Sequence, residues 1–142
     1  MQTKQLQTAG LVVLQDQKVL LAYSKNKKAW YLPGGKIENG ETAFLSLKRE
    51  IREELNLDIH TEDVTYFGYI TAPAYGEAPH IIMEQECFLY TLGETVQPGN
   101  EILAVAYFDE ETYKKEPAQV PGVLQLFAQL KQNRPHDAGS YD

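Results

Sequence analysis

Residues 32–57 constrain this chain most, because they join a glycine-rich turn to a helix that ends in clustered carboxylates. The stretch reads LPGGKIENGETAFLSLKREIREELNL. Gly34 and Gly35 allow the backbone to turn sharply and to approach a ligand closely, since glycine tolerates backbone angles that a Cβ forbids. The pattern therefore predicts a turn that contacts phosphate or metal, directly before a helix.

The helix is predicted to begin after Thr42, whose hydroxyl can cap it, and to end near Leu55. Its buried stripe should consist of Phe44, Leu47, Ile51 and Leu55. Glu50, Glu53 and Glu54 fall on a neighbouring stripe, because positions three and four apart are adjacent on a helix surface. Three close carboxylates repel one another, and a divalent metal would turn that repulsion into ligation by hard oxygen donors. A solvated glutamate-rich face is the competing interpretation.

The order of Gly35, Glu41 and residues 49–57 closely resembles the Nudix box, the signature of the Nudix hydrolase superfamily. One position departs from it, since Asn56 stands where the box usually has glycine. Asparagine is the next-best residue for the left-handed conformation that ends a helix, so we expect this change to be tolerated. The resemblance implies an α/β (α+β) fold, the Nudix-type α/β/α sandwich with a mixed β-sheet. It also implies hydrolysis of a pyrophosphate linkage in a nucleoside diphosphate linked to another moiety, X.

The resemblance also implies roles for individual residues. The metal ligands would be Glu50, Glu53 and Glu54, with a backbone carbonyl of Gly34 or Gly35. Either Glu50 or Glu53 would orient or deprotonate the attacking water. Arg49 and Glu41 match positions that form a bracing ion pair. A further ligand from outside the box is expected near Glu94 and Glu101, of which we select Glu101, although a plain surface charge is an equally open interpretation of both.

Pyrophosphate hydrolysis requires that phosphate charge be neutralised and that water be made nucleophilic, and clustered divalent cations do both. Magnesium suits carboxylate and carbonyl oxygens and keeps some of its waters. We therefore expect Mg²⁺ as the cofactor, and Mn²⁺ fits the same hard ligands.

Residues outside the box should select the substrate, because the box handles only the shared pyrophosphate. Tyr75 and Tyr23 are candidates for stacking on a base, and Lys36 could face a phosphate, although ordinary packing must explain most of the nine tyrosines. The leading interpretation is a MutT-type enzyme that hydrolyses nucleoside triphosphates. Nucleoside diphosphate sugars, ADP-ribose and dinucleoside polyphosphates remain open as substrates, and so does a non-catalytic module that binds a nucleotide.

With 142 residues, the chain should form one domain over residues 1–133, followed by a loose tail at residues 134–142. A net charge of −7 argues against non-specific electrostatic binding of nucleic acid polymers, which would need a stripe of basic residues. The single cysteine, Cys87, permits no intrachain disulfide. No apolar run reaches the roughly 18 residues that a membrane helix requires, so we expect a cytoplasmic protein. The oligomeric state stays open, a homodimer included.

Other segments predict the scaffold. The expected elements are a hairpin of residues 11–14 and 19–23, strands at residues 29–32, 64–71, 80–91 and 102–108, a short acidic helix or turn at residues 109–116, and a helix from Val120. The strand at residues 64–71 should alternate, with Tyr66 and Tyr69 on opposite faces.

Overall fold

The computed structural model describes residues 2–132, along which the chain forms eight strands, three α-helices and one 3₁₀ turn. The elements are β1 (Lys4–Val12), β2 (Leu14–Gln15), β3 (Lys18–Ser24), β4 (Ala29–Tyr31), β5 (Gly34–Lys36), α1 (Ala43–Leu55), the 3₁₀ turn (Thr61–Asp63), β6 (Val64–Pro73), β7 (Ile81–Tyr90), β8 (Ile102–Phe108), α2 (Glu110–Tyr113) and α3 (Pro121–Gln132). The tail predicted at residues 134–142 lies outside the described part of the chain. None of these helices is long and apolar enough to cross a membrane.

Two four-stranded sheets form the centre of the molecule. The first has the order β5-β1-β7-β6, in which β1 and β7 run parallel and the other pairs are antiparallel. The second is built around β3, which pairs antiparallel with β2, β4 and β8. The mixed sheet predicted from the sequence is therefore confirmed.

Helices cover both faces of this centre. Successive residues of a strand point to opposite faces, so β1 contributes Leu11 to one core and Val12 to the other. Leu11 packs in the core that holds Leu47, Ile51 and Leu55 of α1. Val12 packs in the core that holds Val123, Leu126, Phe127 and Leu130 of α3. The α/β/α layering is thereby confirmed, with α1 on one side and α3 on the other.

Both ends of α1 agree with the sequence. The Thr42 hydroxyl accepts a hydrogen bond from the Leu45 amide at 3.1 Å, which caps the first turn. Asn56 ends the helix with a φ of 57°, in the left-handed conformation expected for it. Its side-chain Nδ2 also donates to the Gln97 carbonyl at 2.6 Å. Asparagine therefore supplies both the backbone conformation and a contact that glycine lacks.

The glycine turn differs from the prediction, because Gly34–Lys36 forms a strand that pairs with β1. Gly34 has a φ of 141°, and a Cβ there would collide with the Ala9 carbonyl oxygen. Glycine is required at this position by close approach to a neighbouring strand as well as by backbone conformation.

The strict alternation predicted for β6 is wrong, because a β-bulge interrupts it. The register passes from Tyr66 opposite Phe88 to Gly68 opposite Cys87, which leaves Phe67 as an extra residue. An extra residue inverts the side-chain order that follows it. Tyr66 and Tyr69 consequently share the exposed face, with relative exposures of 52% and 44%.

Candidate active site and adjoining cleft

Glu54 is the buried carboxylate of the last turn of α1, with only 6% of its surface exposed. Its Oε1 accepts a hydrogen bond from the Gly34 amide at 3.1 Å, and its Oε2 accepts one from the Tyr31 hydroxyl at 3.3 Å. Burial raises the pKa of Glu54 to about 8, and although the Gly34 amide opposes this shift, the negative charges of Glu50 and Glu101 add to it. A nearby cation would favour the ionised form of this carboxyl group.

Glu50 lies one turn earlier and packs on Gly35, where a Cβ would collide with its carboxylate carbon. Burial raises the pKa of Glu50, while hydrogen bonding and attraction from Arg49 lower it. The Arg49 Nη1 donates to Glu50 Oε2 at 2.9 Å. The two glycines therefore bring β5 close to two carboxylates, Gly34 through its amide and Gly35 through its missing side chain.

Arg49 braces the loop after β5 against α1. Its Nε and Nη2 donate to the two oxygens of Glu41 at 2.8 and 3.0 Å, and its Nη2 also donates to the Lys36 carbonyl at 3.2 Å. The hydrogen bonds from Arg49, joined by one from the Glu38 amide, lower the pKa of Glu41 to about 2. This planar, two-point contact is one that a lysine ammonium could not reproduce.

The other carboxylates considered as metal ligands, Glu53, Glu101 and Glu94, lie in three different environments. The Glu53 side chain is 45% exposed, and its Oε1 lies 3.7 Å from Arg49 Nη1. Glu101 accepts a hydrogen bond from the Ser24 hydroxyl at 3.5 Å, and its charge raises the pKa values of both Glu54 and Tyr31. The Tyr90 hydroxyl instead donates to the Glu94 carboxylate, whose two oxygens lie 2.9 and 3.0 Å away, beside a separate shallow cleft. Of the two residues outside the box, Glu101 is the one near Glu54.

These donors fit a magnesium ion in number and chemistry. Among residues 2–132, no three acidic, histidine or cysteine side chains converge as a complete ligand set. Magnesium does not require one, since it is usually held by one or two carboxylates and completes its octahedron with waters and substrate phosphates. Glu50 and Glu54 place two carboxylates at the glycine strand that could hold such an ion, and Glu101 adds negative charge beside them.

A cleft lies on the α3 side of the glycine strand. Its lining includes Gly34, Gly35 and Lys36 from β5, Tyr75 from the loop after β6, and Val123 from α3. Tyr75 and Lys36, two of the residues predicted to bind substrate, thus line this cleft. The structure places Tyr23 elsewhere, because its ring packs edge-on against Trp30 at 5.3 Å, outside this lining.

Four further lining residues were not selected from the sequence: Thr8, Lys27, Tyr31 and Gln85. Lys27 places its Nζ 5.5 Å from the centre of the Tyr31 ring, and Tyr31 connects the cleft to Glu54. One signal was available for Gln85, which is a polar residue on the otherwise apolar face of β7 between Met83 and Cys87. Thr8 carries no comparable signal, because threonine is ordinary in strands.

Comparisons with known proteins agree on one family. The family model described as the NUDIX domain matches residues 4–130. The CTP pyrophosphohydrolase of Escherichia coli (strain K12) is 28% identical over 140 residues, which cover 94% of this chain and 99% of that protein. An uncharacterized Nudix hydrolase of Bacillus subtilis (strain 168), YvcI, is 46% identical over 102 residues, which cover 68% of this chain and 62% of that protein. A crystal structure of a MutT protein from Methanosarcina mazei Go1 superposes with a TM-score of 0.73 at 16% identity, over 95% of this chain and 99% of that one.

Proposed function

The chain belongs to the Nudix hydrolase family and is a pyrophosphohydrolase, and we propose that it hydrolyses a nucleoside triphosphate with the help of magnesium ions. In this reaction one water cleaves the linkage between the first two phosphates, and the products are a nucleoside monophosphate and pyrophosphate. Members of this family act on small nucleotides and generally need a divalent metal.

One observation carries the proposal. The carboxylates of Glu50 and Glu54 reach Gly34 and Gly35 from one side, and a largely apolar cleft reaches the same two glycines from the other. A substrate that crosses this strand would place its base in the cleft and its phosphates near the carboxylates. Lys27 and Lys36 line the cleft beside the strand and supply positive charge for the phosphates.

The residues act in three ways in this proposal. Glu50 and Glu54 would hold the metal together with a carbonyl of Gly34 or Gly35, and Glu101 would add negative charge beside them. Bound magnesium supplies charge neutralisation and a more acidic water. Glu53 is the most exposed carboxylate of the helix stripe, so it is free to orient the attacking water, with Glu50 as the alternative. Arg49 and Glu41 position the loop and do not touch the reacting atoms.

The choice of a triphosphate rests on the relative that aligns along its whole length, the E. coli CTP pyrophosphohydrolase. ADP-ribose, nucleoside diphosphate sugars and dinucleoside polyphosphates share the pyrophosphate linkage and are the competing substrates. The same geometry would serve them, because the carboxylates meet only the shared linkage.

A substrate panel tests the proposal. The protein is incubated with Mg²⁺ and each triphosphate, ADP-ribose, a nucleoside diphosphate sugar or a dinucleoside polyphosphate, and the products are identified by mass. We expect a monophosphate and pyrophosphate from at least one triphosphate, at a kcat/KM above that of every other class. Faster cleavage of another class would overturn the substrate assignment. Absence of turnover, together with nucleotide binding that needs no metal, would favour a non-catalytic module.

A further inference from the structure

Thr8 carries a buried hydroxyl that the fold does not satisfy. Its Oγ1 has no hydrogen-bond partner within residues 2–132, and only 6% of the residue is exposed. A buried hydroxyl without a partner costs about 1–3 kcal/mol. Thr8 is one of the residues that line the cleft in which a ligand would lie.

Gln85 is the neighbour of Thr8 across the parallel pair of β1 and β7. It is 7% exposed and lines the same cleft. The hydrogen bond to its side chain is a weak one, from Cys87 Sγ to Oε1 at 3.9 Å. Its Nε2 has no acceptor among the residues that the structure describes. Two adjacent, largely buried residues that line one cleft therefore carry uncommitted hydrogen-bonding groups.

Gly10 makes room for this arrangement. A Cβ on Gly10 would lie 2.9 Å from both Cδ and Nε2 of Gln85, closer than carbon atoms and amide groups normally pack. The Gln85 amide therefore lies over Gly10, which is two residues after Thr8 in β1 and on the same face of the strand. A larger residue at position 10 would displace the amide.

We propose that Thr8 and Gln85 together recognise the hydrogen-bonding edge of the substrate's base and so determine which base is preferred. This inference rests on the proposed function, because it assigns the cleft to the base of the nucleotide. Binding sites of this kind are mostly apolar with a few placed polar groups that fix orientation. Here the surrounding walls include Val120, Val123 and Ala74.

The chemistry of the pair selects a heterocyclic base over a sugar or a phosphate. Gln85 offers amide hydrogens to a carbonyl oxygen or an unprotonated ring nitrogen, and the Thr8 hydroxyl either donates or accepts. A base carries such atoms side by side on one edge and packs its faces against apolar walls. A phosphate would instead bind near the cationic Lys27 and Lys36, since an anion gains little from an uncharged, apolar floor.

The test compares two variants with a matched control. Thr8→Val keeps the shape of the side chain and removes its hydroxyl, and Gln85→Met keeps its length and removes its amide. Gln7→Met is the control, because Gln7 directly precedes Thr8 in β1 and is exposed on the opposite face, where its amide donates to Glu84 at 2.6 Å. Binding of the α,β-methylene analogues of ATP, CTP, GTP and UTP is measured by calorimetry, and hydrolysis of the four triphosphates is measured separately.

We expect the unaltered protein to prefer one base. Each cleft variant should weaken binding of that analogue about 10-fold or more, while binding of the other analogues changes less. A buried polar group discriminates between bases because a base that cannot pair with it leaves it without a hydrogen-bond partner. The control should keep the original preference. Thr8→Val should also raise the thermal midpoint of the free protein, since it removes an unsatisfied buried hydroxyl. A merely structural threonine would give the opposite shift.

Three outcomes would overturn the inference: equal binding of all four analogues by the unaltered protein, an unchanged base preference in both cleft variants, or a lower thermal midpoint for Thr8→Val. Failure of the proposed function would give a different combination of results. If no triphosphate is hydrolysed, yet the cleft variants lose base preference in binding, the base-recognition role stands and the assignment of a triphosphate substrate falls.

Discussion

The two sides of the glycine strand are built in opposite ways. On the α1 side, charged groups from residues 34–54 of one continuous stretch meet through ion pairs and amide contacts. On the α3 side, a mostly apolar cleft is assembled from β1, β7, the loop after β6 and α3, which are far apart in sequence. The difference separates the chemistry from substrate choice. Changes on the α1 side should alter the rate for every substrate, and changes on the α3 side should alter which substrate binds.

The largest effect is expected for Glu54→Gln, which keeps the side-chain shape and removes the charge of a proposed metal ligand. We expect kcat to fall by roughly 10²–10³-fold for every substrate, because electrostatic stabilisation at the phosphates is lost. The fold should survive, since burial already disfavours the charged form of Glu54. Steady-state kinetics and circular dichroism measure the two expectations. Glu111→Gln, at an exposed position of α2, is the control, and near-normal turnover by Glu54→Gln would contradict the metal assignment.

Arg49→Lys should give the next largest loss, about 10–100-fold in kcat/KM, as is typical of residues that orient metal ligands. Lysine keeps the charge and loses the two-point contact with Glu41. Because both residues act through one ion pair, the double variant with Glu41→Gln should be hardly worse than Arg49→Lys alone. The three variants are compared in a double-mutant cycle on kcat/KM. Additive losses would show that Arg49 and Glu41 act independently.

Tyr75→Ala tests the α3 side, where the ring lines the cleft from a loop. Loss of a stacking surface should raise KM for the preferred triphosphate about 10-fold, since stacking on a base contributes about 1–3 kcal/mol. The kcat should change little, because the carboxylates are untouched. Tyr69→Ala, on the exposed face of β6, is the matched control. An unchanged KM for every active nucleotide would remove Tyr75 from the substrate site.

The difference between the α1 side and the α3 side also explains which features could be predicted from the sequence. Helix α1 and its Thr42 cap follow from local spacing, because helical periodicity and capping act within a few residues. The ion pair of Arg49 with Glu41 was implied by the resemblance to the Nudix box. The pairing of Thr8 with Gln85 follows from the parallel register of β1 and β7, which joins distant segments and leaves no local pattern. The bulge at Phe67, which inverts the side-chain order of β6, was missed for a related reason, because an alternating sequence pattern does not reveal one extra residue.

The sequence predicted the role of Glu101 only in part. The resemblance indicated a further acidic residue outside the box and left Glu94 and Glu101 open. Only the packed structure separates them, because the Lys25 amide donates to the Glu101 carbonyl at 2.8 Å and thereby holds residue 101 against the end of β3. Backbone contacts of this kind depend on how β8 enters the second sheet, which local composition does not encode.

The smallest effect on activity is expected for Tyr113→Phe, which affects the scaffold of the α3 side. The Tyr113 hydroxyl donates to the Trp30 carbonyl and accepts from the Val120 amide, both at 2.8 Å, and the residue is fully buried. Losing both bonds should lower the free energy of unfolding at pH 7 by about 1–3 kcal/mol. Turnover measured well below the thermal midpoint should remain close to that of the unaltered protein.

The pH dependence of this loss identifies the hydroxyl as its cause. Burial raises the pKa of Tyr113 from its ordinary value of 10.0 to about 12. Between these values the unfolded chain releases the proton while the folded chain retains it, so the stability contributed by Tyr113 falls as the pH rises. The phenylalanine variant has no such proton, and the difference in unfolding free energy between the two proteins should therefore narrow from pH 10 to pH 12. Denaturant unfolding at both pH values measures it, with the other tyrosines titrating equally in both proteins. A difference that stays constant would mean that the cost arises from packing and not from the hydroxyl.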